Sequence, residues 1–279
     1  MLDTQSIERA AAYLRSAKRL VILAGAGMSA DSGLLTFRDA TGYWKSDDRN
    51  QFSLASYSLF EKEPRASWKF YAKRIRQYRL TKPHPGYEIL HKWCTRVGSH
   101  RSFVLTSNTD GHFLKSGFNP DQVYECHGSL ESMYCSDKHC DTRKIGLMSI
   151  TDDQLNLIED GILPKCGCGQ VLRPHVLMFG DRSFLHHADE KAYLNWQSFE
   201  KHLASSRDFL VLEIGVGSTV TTLEDKTWAL AKQALAVLQI NICKAAPNDS
   251  PCPWLNLDGT ALTVLESVHE EMNKYADDQ

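Results

Sequence analysis

The sequence predicts an α/β fold, a doubly wound parallel sheet carrying a helical insert and a small cysteine-held module. Three observations point there. Short apolar runs recur at 20–24, 102–106, 208–214 and 236–242 with helical periodicities between them, the alternation that builds a parallel sheet buried on both faces. Several of these runs end in Gly-rich or Asn/Asp-rich turns, above all Gly25-Ala26-Gly27-Met28-Ser29-Ala30. Two close cysteine pairs, Cys135/Cys140 and Cys166/Cys168, interrupt the alternation in mid-chain.

Residues 5–17 place Ile7, Ala10, Ala11 and Leu14 at helical spacing ahead of the first strand, Leu20–Ala24. The G-x-G-x-x-A turn that follows suits a Rossmann-like nucleotide site and also an ordinary tight strand-to-helix turn. The first Gly permits the turn, the second would let backbone N–H groups approach a diphosphate, and Ala30 lets the next helix pack closely. Ser29 and Asp31 are good N-cap residues, and Gly33 stops the helix after barely a turn. Phe37, Arg38 and Trp44 come next, within reach of the same pocket: an Arg for phosphate and aromatics for a flat ring.

Residues 64–80 begin with Pro64 and set Trp68, Tyr71, Ile75 and Tyr78 at three- and four-residue steps, a helix in an insert over the site. Lys69, Lys73, Arg74, Arg76 and Arg79 read as its solvated face. Thr81-Lys82-Pro83-His84-Pro85 breaks it, with His84 a turn or cap residue, and residues 86–93 resume the helical period. The strand 102–106 ends in Ser107-Asn108-Thr109-Asp110-Gly111. Asn108 and Asp110 at such an end are ligand contacts or, equally, an Asx-turn and helix cap. A third strand end at Val123-Tyr124 precedes His127-Gly128, where the imidazole is either structural or a general base.

Two cysteine pairs separated by 25 residues resemble a four-thiolate zinc site. Cys166-Gly-Cys168 is tighter than the usual knuckle, so it binds zinc in a tightened turn or belongs to a site that has lost full affinity; His139 is a substitute ligand. Beyond it come an extended stretch at 171–181 and a helix at 187–204. The strand 208–214 follows, ending in Gly215-Val216-Gly217-Ser218-Thr219, which fits the far side of a dinucleotide crevice. A helix at 221–234, the strand 236–242 with Asn241 near its end, a Pro/Asn/Asp/Gly-rich loop at 250–259 and a helix at 263–275 complete the chain.

Residues 1–45, 84–133 and 171–279 are expected to form a dinucleotide-binding unit, with the insert 46–83 and the metal module 134–170 forming a smaller one. At 279 residues this is one domain with insertions. A net charge of −2 without a long basic run argues against nucleic-acid binding. No apolar run approaches the ~20 residues of a membrane span. The first residues lack a signal-peptide layout, so a cytoplasmic protein is expected, and its eight cysteines are not a disulfide framework.

Taken together these motifs resemble the sirtuin family, the NAD-dependent protein deacylases. Gly25 to Gly33 with Phe37-Arg38 and Gly42-Tyr43-Trp44 is followed by Thr106 to Gly111, His127-Gly128 and the two cysteine pairs. Leu172-Arg173-Pro174, Phe179-Gly180-Asp181, Gly215 to Ser218 and Ile240-Asn241 then follow in family order.

The resemblance implies NAD lying across the crevice. Its diphosphate would sit near Gly25, Ala26, Gly27, Ser29 and Ala30, with Phe37 shielding the reactive ribose carbon and Arg38 and Trp44 in the same signature. Ser107, Asn108 and Asp110 would lie at the ribose and nicotinamide, and Gly215, Gly217, Ser218 and Asn241 on the far side. It implies zinc on Cys135, Cys140, Cys166 and Cys168. An acylated-lysine peptide would add as a strand between Val176–Gly180, with contacts at Val176, Phe179 and Gly180, and Gly217–Thr219. The acyl oxygen attacks the ribose carbon, His127 is the general base on a ribose hydroxyl with Asn108 beside it, and O-acyl-ADP-ribose and nicotinamide leave. Ser107 in place of Gln, Thr109 in place of Ile, Asp181 in place of Glu, the altered 215–219 turn and the short second knuckle mark a divergent branch. They keep protein ADP-ribosyl transfer or NAD hydrolysis as the alternative.

Overall fold

The strand β1 (Arg19–Ala24) lies in the middle of the sheet. The computed structural model describes residues 3–34, 53–141, 146–186, 189–218 and 220–274. β1 pairs in parallel with β2 (Ser102–Thr106) on one side and β7 (Phe209–Ile214) on the other. β3 (Val123–Glu125) extends the first side; β8 (Ala236–Asn241) and β9 (Trp254–Asp258) extend the second. The order is β3-β2-β1-β7-β8-β9. Strand order therefore reverses between β1 and β7, and ligands of such sheets bind outside the carboxyl ends at that reversal.

The doubly wound expectation holds because the strands are apolar on both faces. Leu20, Ile22 and Ala24 of β1 pack with α1 (Thr4–Ser16), α5 (Gly86–Val97) and α10 (Ala261–Asn273). Val21 and Leu23 pack on the other face with α8 (Glu190–Leu203) and α9 (Thr222–Ala231). This is the two-residue period of a strand. Residues 250–259 differ from the expected loop. Trp254–Asp258 forms the edge strand, with Leu255 and Leu257 buried. Pro253 stands just before it, and an edge strand tolerates that.

The second layer of structure is a three-stranded antiparallel sheet, β5-β4-β6, made of β4 (Gly128–Cys135), β5 (Met148–Ser149) and β6 (Leu172–Val176). β4 begins and β6 lies in stretches expected to belong to the larger unit, whereas β5 falls inside 134–170. It shares a separate core with α3 (Tyr57–Lys62), α4 (Pro64–Leu80) and α7 (Asp152–Glu159). Trp68 is fully buried in that core and its indole N–H donates to the Leu172 carbonyl at 2.7 Å.

The basic residues of α4 are not simply a solvated face. Arg74 is buried and donates to the Tyr78 hydroxyl at 2.8 Å. Arg79 donates to Glu131, Asp152 and the Ile150 carbonyl, and Arg76 to Glu159. They tie the insert to the module. No described helix is long and apolar enough to cross a membrane.

Candidate active site and metal centre

The crevice begins at a junction of three glycines. A Cβ on Gly25 would lie 2.6 Å from the Gly215 carbonyl oxygen, and one on Gly27 2.6 Å from Gly215 Cα. Gly215 itself has φ of +61° and would put a Cβ 2.3 Å from the Met28 nitrogen. The N–H of Gly25 donates to the Ile214 carbonyl and that of Gly27 to the Gly215 carbonyl. These two glycines let β7's end press against β1's end, and their own N–H groups bond to that neighbouring strand end. α2 (Gly27–Ala30) follows with Ala26 as its N-cap. Ser29 lies inside this helix, and Asp31 ends it as the C-cap, its carboxylate also accepting the Leu262 N–H at 2.7 Å in the first turn of α10.

Ser29 is the hub of a buried network. Its hydroxyl donates to Asp110 Oδ2 at 2.6 Å and lies 2.9 Å from the Tyr87 hydroxyl; Asn108 Nδ2 donates to it at 3.0 Å. A serine has one proton to give, so Tyr87 donates to Ser29. The second Asn108 amide bond goes to the Gly25 carbonyl at 3.0 Å, leaving Oδ1 as the amide's acceptor. Asp110 Oδ1 accepts the His112 N–H at 2.9 Å, at the start of α6 (His112–Lys115). Asn108 and Asp110 thus join both readings open in the sequence: Asp110 makes the Asx turn, and both sit in the crevice. Ser107 continues the strand ladder through its N–H to the Ala24 carbonyl. His84 is structural, as expected: Gly86 N–H donates to Nδ1, and Nε2 meets the Met28 carbonyl at 2.7 Å.

His127 follows β3 at the same edge. Its Nε2 is buried and has no partner among the described residues. Burial pushes its pKa down to about 4, the nearby His186 works the same way, and a hydrogen bond to the Ser107 main chain opposes them. Because Nε2 is unpaired, that bond belongs to Nδ1–H, so the lone pair sits on Nε2. Gly128 beside it has φ of +82°, and a Cβ there would lie 2.2 Å from the His175 carbonyl oxygen. Only glycine lets β6 approach this closely.

The sequence reading missed Glu125, the last residue of β3. The residue is half-buried but its carboxyl is desolvated; that burial and the charge of Asp110 push its pKa up to about 8. Its position two residues before His127 was the available signal.

On the far side, Asn241 Nδ2 donates to the Val216 carbonyl at 2.8 Å, fixing the turn that bears Gly215, Gly217 and Ser218. Among the substrate candidates, Val176 is buried in β6 and its carbonyl accepts from Arg173. Both main-chain groups of Phe179 are used, its N–H by Ala55 and its carbonyl by Tyr57. Gly180 is exposed, with φ of +73°. The candidates Phe37, Arg38, Trp44 and Thr219 lie outside the described residues.

The four cysteines converge. Cys135 and Cys168 sulfurs are 3.6 Å apart, Cys140 and Cys166 sulfurs 3.7 Å, and all four fall within 4.8 Å of one another. A tetrahedron with metal–sulfur bonds of about 2.3 Å has edges of about 3.8 Å, so the set fits zinc. The short knuckle closes because Gly169, with φ of +88°, returns its N–H to the Cys166 carbonyl at 2.8 Å. His139 is not part of the group.

A buried ion pair stands beside the module. Arg173 and Asp181 are both sealed from solvent, and Arg173 also lies over the rings of Tyr57 and Tyr134.

The Sir2 family model matches residues 25–201. An NAD-dependent protein deacetylase of Halalkalibacterium halodurans is 30% identical over 260 residues, covering 93% of this chain and 98% of that protein. An NAD-dependent protein deacylase of Deinococcus radiodurans is 32% identical over 275 residues, covering 95% and 99%. A solved Sir2 enzyme structure superposes with a TM-score of 0.73 at 25% identity, covering 98% of this chain and 99% of that one.

Proposed function

The chain belongs to the Sir2 family, and we propose that it removes acyl groups from lysine side chains of proteins, using NAD as co-substrate. The observation that carries this reading is the His127 Nε2 at the strand ends, without a partner among the described residues, beside a network that holds Asn108 in one orientation. NAD, when bound, supplies an electrophilic ribose carbon once nicotinamide leaves.

The chain's own residues do the rest. Asn108 Oδ1 accepts a hydrogen bond from the ribose or from water, its amide hydrogens being already committed to Gly25 and Ser29. His127 is kept neutral at pH 7, and Nε2 takes the proton from a ribose hydroxyl; this is general-base work. The Ser107 carbonyl holds the ring in the tautomer that makes this possible. Asp110 fixes Ser29, and the 215–218 turn closes the other wall. An extended peptide pairs with main-chain groups of the 176–180 segment other than those of Phe179, which bond to Ala55 and Tyr57, and the Met178 carbonyl, which accepts the Asp181 N–H. Zinc on Cys135, Cys140, Cys166 and Cys168 is structural, since a four-cysteine set leaves no open position for chemistry. A cytoplasmic location fits thiols kept reduced, four of which converge as a set that can hold a metal.

His127→Ala lowers acyl-peptide turnover by about 10²- to 10⁴-fold, the usual worth of a general base, and leaves NAD affinity close to that of the parent. Turnover assays with calorimetric NAD titration check this; unaltered turnover removes the assignment. Mass spectrometry of the products separates deacylation, which yields O-acyl-ADP-ribose, from the alternatives, which yield ADP-ribosylated protein or free ADP-ribose.

A further inference from the structure

The parallel register sets Glu213 of β7, Gln239 of β8 and Asn256 of β9 side by side. They lie on the face of Leu23 and Val211, opposite the one that carries Tyr87 and the Ser29 network. Glu213 is 1% exposed and Gln239 2%. Their bonding is incomplete. Glu213 Oε1 accepts from Gln239 Nε2 at 2.8 Å and from Lys244 Nζ at 2.9 Å. Lys244 also pairs with Glu224 at 3.2 Å and donates to the Val216 carbonyl at 3.3 Å, and Asn256 Nδ2 donates to the Lys244 carbonyl at 2.6 Å.

Three buried acceptors remain without a partner among the described residues: Glu213 Oε2, Gln239 Oε1 and Asn256 Oδ1. The Trp254 indole N–H is the one unpaired donor of the cluster. A buried acceptor left unpaired carries its full desolvation cost, so this excess of acceptors calls for a donor from outside.

A cleft of about 210 Å³ is lined by Glu213, Gln239 and Lys244 and walled by Trp228, Trp254 and Pro247. The two indole rings lie 5.6 Å apart at 43°. Two carboxylates face a single ammonium, and indole faces attract cations. The volume admits only a small molecule.

We propose that this cleft binds a small organic cation bearing a guanidinium or primary ammonium group. The cation's N–H donors meet Glu213 Oε2 and Gln239 Oε1, and its apolar stem lies along Trp228 and Trp254. The site is separate from the crevice, so the proposal does not depend on the catalytic reading.

The test uses the full chain at 150 mM NaCl, titrated with agmatine, putrescine and, as a neutral control, 1-butanol. Calorimetry and tryptophan fluorescence follow the binding. Saturable one-site binding of agmatine or putrescine is expected, with a fluorescence change and no response to butanol; the two amines show whether guanidinium or ammonium is preferred. Glu213→Gln weakens the binding at least tenfold, and Trp228→Leu weakens it several-fold while circular dichroism stays as in the parent. If Glu213→Gln does not fold, Trp228→Leu and Glu224→Gln carry the comparison. Absence of saturable binding, equal binding of butanol, or unchanged affinity in folded variants would overturn the proposal.

Discussion

In the parallel sheet, Gly25, Gly27 and Gly215 bring two strand ends so close that no side chain fits between them. In the module around β4 and β6 one glycine, Gly128, plays a similar part against His175, and four sulfurs and the Arg173–Asp181 pair are added to it. The first region draws its cohesion from two apolar layers over a six-stranded sheet. The second has one smaller core and adds point-like ties, a metal-ready thiolate set and a buried ion pair. The contrast says what each region can tolerate. The sheet is sensitive to added volume; the module shares that sensitivity at Gly128 and is sensitive besides to the loss of a charge or a ligand.

Metal removal sharpens the contrast most. Structural zinc in small peptides contributes on the order of 10 kcal/mol. Chelation is therefore expected to open the module and spare the sheet. Hydrogen exchange would show amides of 128–135 and 172–176 losing protection while those of β1, β2 and β7 keep theirs. Uniform loss across the chain would mean that the two regions are one cooperative unit.

Gly215→Ala comes next. It combines a positive φ with a 2.3 Å approach to the Met28 nitrogen, and overpacking with backbone strain is expected to cost about 5 kcal/mol. Denaturant unfolding measures it. The matching change in the module is Arg173→Met, which leaves Asp181 buried without its cation and costs about 4 kcal/mol. A cost under 1 kcal/mol for either would break the distinction drawn here.

A pH slope is expected from both regions, the smallest effect residue by residue. Burial, with the charge of Arg173 adding to it, pushes His175 of β6 down to about 4, and His127 in the crevice stands at about 4 as well. A folded pKa below the unfolded value of about 6.5 means that the unfolded chain binds more protons in this window. Stability from these groups is complete above pH 6.5 and is lost as pH falls from 6.5 to 4. A shift of that size corresponds to about 3 kcal/mol for His175, which is 5% exposed. Thermal melts at steps between pH 7 and 4 should show the fall, and His175→Phe should flatten part of it.

Much of this was legible in the residues. The strands at 19–24, 102–106, 209–214 and 236–241 and the helix 64–80 follow from apolar runs and from Trp68, Tyr71 and Ile75 at helical steps. The thiolate set follows from cysteine spacing alone, even though Cys166-Gly-Cys168 is tight. Other features do not register locally. The edge strand Trp254–Asp258 hides among Pro, Asn, Asp and Gly because its pairing with β8 is a contact between distant parts of the chain. Arg79 looks like a solvated residue until Glu131 and Asp152 are brought beside it. Glu125 looks like any strand carboxylate until Asp110 closes on it.

By itself the sequence determined the fold class, the order of the motifs, the family resemblance and the ligand types. These are carried by period, residue chemistry and short spacings, which are local properties of a chain. Tertiary structure decided that the glycines serve backbone contact, that Ser29 orients Asn108 and Asp110, that His127 presents a nitrogen without a partner among the described residues, and that Glu213, Gln239 and Asn256 form one row. Each of those depends on groups brought together from strands and loops distant in sequence, and proximity of that kind is created only when the sheet closes.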